Sequence, residues 1–163
     1  MAAYSIITYL LQIKDRHDGN ILLDTKGHLI HIDFGFMLSN APGYVGFESA
    51  PFKLSHEYME LLGGLHSPSF AALKESIFTG LLELRKHADR LLVLVQAMGR
   101  NSRMPCFAAS SGEAAVTLLQ SRFHLSLTEA QLRQLVDRLV ISSAFNVFTK
   151  LYDGFQYYAN GIL

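Results

Sequence analysis

Apolar residues recur at helical spacing along most of this chain, and gather into short strand-like runs at one place, between residues 20 and 32. Tyr4, Ile7, Leu10 and Leu11 predict a single helix over residues 1–14. Asn20-Ile21-Leu22-Leu23-Asp24 and His28-Leu29-Ile30-His31-Ile32 read as two short strands around the turn-forming Thr25-Lys26-Gly27. Residues 36–52 carry Pro42, Gly43, Gly46 and Pro51 without a usable period, which predicts an irregular loop. Ser55 then caps a helix to Leu62, stopped by Gly63-Gly64. A second helix begins near Pro68-Ser69 with Phe70, Leu73, Ile77 and Phe78 on one face, and a third covers residues 85–98, where Ala88, Leu91, Leu92 and Val95 recur. Ser110 and Glu113 form a capping-box pattern ahead of Val116 and Leu119. Leu132, Leu135, Val136, Leu139 and Val140 make a full i, i+3, i+4, i+7, i+8 stripe, and a last helix covers residues 150–159. The expected fold class is α+β, predominantly α: a short β-hairpin followed by a helical bundle in one unit.

Composition narrows the class. At 163 residues the chain can hold one core of useful size. Half the residues are hydrophobic and 17% are charged, an apolar balance that leaves surface for a further lobe, a partner or a membrane. The formal net charge is zero and the pI about 7.1, which gives no footprint for nucleic acid. No apolar run reaches the ~18 residues that a membrane span needs, and no signal peptide is recognisable. The single cysteine, Cys106, excludes an internal disulfide and reads as a small buried hydrophobe.

The chemistry lies in Asp15-Arg16-His17-Asp18-Gly19-Asn20 and Asp33-Phe34-Gly35. Phosphoryl transfer from ATP needs an acid/base group at the acceptor hydroxyl and oxygen ligands for a divalent metal on the phosphates. Protein kinases supply these from a catalytic-loop Asp, an Asn five residues later and the Asp of a D-F-G. Here Asp15 and Asn20 stand five apart and Asp33 opens the D-F-G, with the catalytic triplet written D-R-H instead of H-R-D. The two strands would carry Asn20 to the start of one and Asp33 to the end of the other, within reach of one metal. Only fourteen residues precede Asp15, too few for a glycine-rich phosphate cover or a strand lysine, and neither a G-x-G-x-x-G nor a P-loop follows. The reading is therefore the carboxy-terminal lobe of a kinase catalytic domain over residues 1–163, without its amino-terminal lobe. Its parts are a catalytic loop at 13–21, an activation and substrate loop at 33–54, and a helical bundle at 55–163.

These segments resemble the phosphatidylinositol 3-/4-kinase superfamily. The match runs from Lys14 to Asp24 and from Gly27 to Phe36. Gly46-Phe47-Glu48, Pro51-Phe52-Lys53-Leu54, Leu62-Gly63-Gly64 and Pro105-Cys106-Phe107 resemble the type III phosphatidylinositol 4-kinases. The tail, from Arg122-Phe123-His124 to Lys150-Leu151-Tyr152-Asp153-Gly154-Phe155-Gln156-Tyr157, is most similar to their beta branch. The resemblance implies Asp15 and His17 beside the inositol hydroxyl, either as proton acceptor. His17 ranks slightly ahead because a free imidazole titrates near ~6.5. It implies Arg16 in an orienting role, Asn20 and Asp33 on Mg²⁺ (or Mn²⁺), and Leu22 and Ile32 under the adenine of ATP. At Asp18 the familiar type III enzymes carry Asn, so this chain adds a negative charge near the metals.

Residues 37–51 contain no Lys or Arg. A kinase acting on an inositol lipid with extra phosphates would need cations there, so phosphatidylinositol itself is the favoured acceptor. Lys53 is the candidate contact for its phosphodiester or for the transferred phosphate. The 4-position, a cytoplasmic and peripheral place on endomembranes such as the Golgi, and membrane contact through the last helix all rest on resemblance. In that helix Tyr152, Phe155, Tyr157 and Tyr158 pack on the bundle or insert into lipid. His28 and His31 read as structural, and His56, His66, His87 and His124 as scattered and unpaired in sequence. Two other functions stay open: a non-catalytic module that kept the fold, and a phosphatidylinositol 3-kinase or related protein kinase.

Overall fold

The computed structural model describes residues 1–40, 49–108 and 112–146, together with 151, 153, 154, 157, 158 and 161 of the tail. Helix α1 spans Ala2–Leu11, three residues shorter at its end than expected, and closes at Gln12 in a left-handed conformation, φ 49°. Its buried stripe is Ile6, Tyr9 and Leu10, continued by Ile13 beyond the helix, while Ile7 is half exposed. The helix is therefore rotated relative to the face read from Tyr4, Ile7, Leu10 and Leu11. That set and Ile6–Tyr9–Leu10–Ile13 both fit helical spacing, and α3 and α5, which α1 meets, select the second.

A two-stranded antiparallel sheet follows, β1 (Ile21–Leu23) on β2 (Leu29–His31), with Leu22 opposite Ile30. Then come α2 (His56–Leu61), α3 (Pro68–Arg85), α4 (Ala88–Gly99), α5 (Glu113–Phe123) and α6 (Glu129–Ala144). Helix α2 starts at Ser55, whose side chain makes no cap hydrogen bond, and ends before Gly63 and Gly64 at φ 82° and 84°. Both glycines take a conformation that a Cβ disfavours, as helix-stop residues do. Ser67 caps α3 through the Phe70 N–H at 3.0 Å with Pro68 behind it. Helix α3 takes Arg85, and α4 begins at Ala88. The capping-box expectation moves: Ser110 lies outside the described residues, and α5 starts at Glu113 behind Gly112, φ 84°. A reciprocal capping box is formed by Thr128 and Gln131 at the head of α6.

Helices α1, α3, α5 and α6 enclose the main core, with Ile77, Leu119, Leu132, Val136 and Val140 at its centre. Two loop residues complete it: Phe52 and Leu54, each 1% exposed. The Phe52 N–H donates to Ser143 Oγ on α6 at 3.3 Å. A smaller core of Leu38, Phe107, Ala115 and Cys106 lies beside it, and burial pushes the Cys106 thiol up. The β-hairpin stays outside both cores, with half-exposed Leu22, Ile30 and Ile32 on one face. The described tail residues 151, 153, 154, 157 and 158 have helical backbone. Of the two alternatives for the tail aromatics, packing on the bundle does not hold for Tyr158, which is 87% exposed, while Tyr152 and Phe155 lie outside the described residues.

Candidate active site

The hairpin sets the D-F-G beside the catalytic loop. Beyond the strand pairs, the Ile32 N–H donates to the Asn20 carbonyl at 3.1 Å, so the residue before Asp33 is laddered directly to Asn20. The turn is closed by Asp24, whose carboxylate accepts the Lys26 and His28 amides at 2.8 Å each and faces the His28 ring at 2.7 Å. The His28 side chain is the main cause that holds this carboxyl below its ordinary range. His31 Nε2 meets the Asp33 carbonyl at 2.5 Å, and its Nδ1 meets the Tyr4 hydroxyl at 3.2 Å. A carbonyl only accepts, so Nε2 carries the proton and Nδ1 accepts from Tyr4. Both histidines are thus engaged locally. Further along, the Lys14 N–H donates to the Phe36 carbonyl at 2.9 Å and the Leu38 N–H to the Leu11 carbonyl at 2.7 Å, which lays the D-F-G segment along the catalytic loop.

Within that loop Asp15 has a left-handed backbone, φ 64°, a conformation that few residues other than glycine adopt. Asn20, almost fully buried at the end of a short 3₁₀ turn (Asp18–Asn20), donates from Nδ2 to the Asp15 carbonyl at 2.9 Å. The buried His17 presents Nε2 to Asp15 Oδ1 at 3.7 Å, so the two proton-acceptor candidates face each other. Arg16 is 2% exposed and donates to the carbonyls of Ala50 at 2.7 Å and Pro51 at 3.0 Å. Its guanidinium joins the catalytic loop to the end of the substrate loop.

Two groups could hold a divalent metal. With Nδ2 given to Asp15, Asn20 keeps Oδ1 as a ligand oxygen. Asp33 Oδ1 accepts the Gly35 N–H at 2.8 Å, which leaves Oδ2. One amide oxygen and one carboxylate form a sparse, all-oxygen donor set of the kind Mg²⁺ takes alongside nucleotide phosphates. Among the described residues no cluster of three or more His, Cys, Asp or Glu side chains is arranged around a metal. Leu22 and Ile32, read from resemblance as adenine contacts, lie with Ile30 on the exposed apolar hairpin face.

Lys53 is not a solvated side chain. It is 2% exposed, and its Nζ lies 2.6 Å from Asp18 Oδ1 and 2.8 Å from Asp153 Oδ1. Burial raises the Asp153 carboxyl, with Lys53 acting against that rise. Sequence reasoning noted Asp18 only as a departure from relatives and gave Asp153 no role. A buried lysine must find carboxylates, yet nothing in the residue spacing says that one comes from position 153. His124 was also missed as a partner: its Nε2 lies 2.6 Å from the Tyr9 hydroxyl and joins α5 to α1.

Residues 1–108 match the family described as phosphatidylinositol 3- and 4-kinase. The chain is 49% identical over 162 residues to phosphatidylinositol 4-kinase beta of Xenopus tropicalis, Rattus norvegicus and Mus musculus, an alignment that covers 99% of this chain. It spans about a fifth of the length of these curated relatives, 20% in each case. With the D-R-H loop, the laddered D-F-G and a family match over residues 1–108, this chain belongs to the phosphatidylinositol 3- and 4-kinase family.

Proposed function

We propose that this chain is the carboxy-terminal lobe of an ATP-dependent phosphatidylinositol 4-kinase, with an amino-terminal lobe completing the nucleotide site. The observation that carries the reading is the meeting of Asp15, His17 and Asn20 in one hydrogen-bonded loop to which the D-F-G strand is laddered. The acceptor is phosphatidylinositol, supported by the cation-free residues 37–51 and by the names of the relatives. The 4-hydroxyl and a peripheral place on endomembranes, the Golgi among them, follow those relatives. No described helix is long and apolar enough to cross a membrane.

Asn20 Oδ1 and Asp33 would hold Mg²⁺ or Mn²⁺, which supplies charge neutralisation on the ATP phosphates. His17 takes the proton of the inositol hydroxyl, and Asp15 opposite it stabilises the imidazolium that forms. Arg16 orients the loop through its bonds to the Ala50 and Pro51 carbonyls. Lys53, the candidate contact for the lipid phosphodiester or the transferred phosphate, is enclosed by Asp18 and Asp153 and supports the site through Asp18. Catalysis is then mostly positioning and electrostatics.

The test replaces the matching segment of mouse phosphatidylinositol 4-kinase beta with this chain and measures transfer of labelled γ-phosphate to phosphatidylinositol vesicles. Transfer is expected, with a loss of about 100-fold or more in Asp33→Ala, the scale of removing one electrostatic stabiliser. A folded chimera without transfer overturns the reading. Label on a peptide acceptor instead of lipid would favour a protein kinase.

A further inference from the structure

His17 sits between two tethers that end on one short stretch of chain. On one side Arg16 is bonded to the carbonyls of Ala50 and Pro51. On the other, Asp18 is bonded to Lys53 at 2.6 Å. The stretch itself is rigid: Phe52 and Leu54 are core residues, and the Phe52 amide is held by Ser143 on α6. The Arg16 bonds to Ala50 and Pro51 run directly between these two loops. The Lys53 tether reaches further, because its ammonium is buried and bonds a second carboxylate at 2.8 Å, that of Asp153, a hundred residues away. Asp18 is the more exposed of the two carboxylates, with 61% of its side chain open against 23% for Asp153. The less hydrated of the two, Asp153, does most to fix where the lysine points, and the lysine so placed meets Asp18.

We propose that Asp153 is a positioning residue for the catalytic loop: by fixing Lys53 it holds Asp18, and with it the turn that carries His17 and Asn20. The catalytic consequence rests on the kinase reading above, while the structural one does not. Asp18 opens the 3₁₀ turn, and the Asn20 N–H closes it on the His17 carbonyl at 2.9 Å. Loss of Asp153 leaves Lys53 with the solvated carboxylate alone and frees the turn to open. The tail thereby sets the order of a loop whose own sequence neighbours do not include it.

Amide hydrogen exchange on the 163-residue chain tests the structural part. The Asn20 amide reports the turn, and the Ile77 amide of α3 reports global opening. Asp153→Asn keeps the Asp18 partner of Lys53, so the chain is expected to fold. Protection at Asn20 should fall about tenfold or more while that at Ile77 is unchanged, as for a local opening, and Asp153→Glu should restore it. Equal losses at both amides, or none at Asn20, overturn the proposal. In the mouse chimera Asp153→Asn should lower kcat about tenfold with the KM for ATP within about twofold, the pattern of lost positioning. An active chimera whose kcat does not change overturns it. A chimera inactive before any substitution counts against the kinase reading alone, since the exchange result does not depend on activity.

Discussion

The Asn20 side chain donates to the main-chain carbonyl of Asp15 at 2.9 Å, across a loop that passes through a left-handed residue. The bond ties a metal-ligand candidate to a proton-acceptor candidate and decides which way the Asn20 amide faces. Asn20→Ala leaves the Asp15 carbonyl without this donor in a nearly buried loop. The expected loss is about 1–3 kcal/mol, the cost of an unmet buried polar group, read from urea unfolding. Asn20→Asp keeps an oxygen but removes the donor and sets a second carboxylate against Asp15. It should be no more stable than Asn20→Ala, and a variant as stable as the parent would show that the amide does not order the loop.

Arg16 offers a sharper contrast. Its fork serves two consecutive carbonyls from a buried position, which a lysine point charge cannot reproduce. Arg16→Lys should keep one of the two bonds and lose roughly 1.5–3 kcal/mol, the range for hydrogen bonds to a charged group. Arg16→Ala strands both carbonyls and should cost more. Equal stability of the lysine variant and the parent in urea would refute the two-carbonyl account.

Much of this was legible in the residues, and the reasons differ by element. The hairpin showed itself because Thr25-Lys26-Gly27 sits between two apolar runs, and Gly27 does adopt φ 84°. Helix α6 showed itself because Leu132, Val136 and Val140 repeat without interruption. Helix α1 was placed correctly but rotated, since its small apolar set fits two stripes and only contacts with α3 and α5 choose between them. The D-R-H loop stood out because its residues are local, Asp15 to Asn20. Its supports did not, because Ala50, Pro51 and Lys53 reach it from 34 or 35 positions away, and Asp153 meets Lys53 from 100 positions further on. Their side chains, or carbonyls in two cases, carry no sequence mark of that role.

Gly80 is a second feature whose reason is tertiary. It stands inside α3, where glycine costs about 1 kcal/mol relative to alanine. A Cβ there would overlap Ile6 Cδ1 of α1, so the missing side chain lets the two helices approach. Gly80→Ala makes the end of the buried Ile6 side chain turn aside, which offsets the gain in helix propensity, so the net change should stay within about 1 kcal/mol. In an Ile6→Val background, which lacks Cδ1, that offset is removed and the same change should be more favourable, stabilising by up to about 1 kcal/mol. A double-mutant cycle measured by thermal or urea unfolding checks this, and additive effects would show that the close contact is not the reason for the glycine.

The junction of α1 and α5 makes folding sensitive to acid. His124 Nε2 faces the Tyr9 hydroxyl at 2.6 Å, while Arg85 donates to the His124 and Leu127 carbonyls, the latter at 2.7 Å. Burial, then the charges of Arg85 and Arg138, hold the His124 imidazole below its ordinary value. The unfolded chain thus protonates this group at a higher pH than the folded one does. Between those two values the unfolded state binds more protons, so stability falls as pH drops through about 6.5 and levels off below the folded value. The melting temperature should decline between pH 7.5 and 5.5, and His124→Asn should flatten that decline. Asparagine tolerates the left-handed backbone at this position, φ 49°, so the substitution isolates the titration. The difference between the two slopes separates His124 from the chain's other six histidines. Parallel slopes would place the acid sensitivity elsewhere and leave the Tyr9–His124 contact as packing alone.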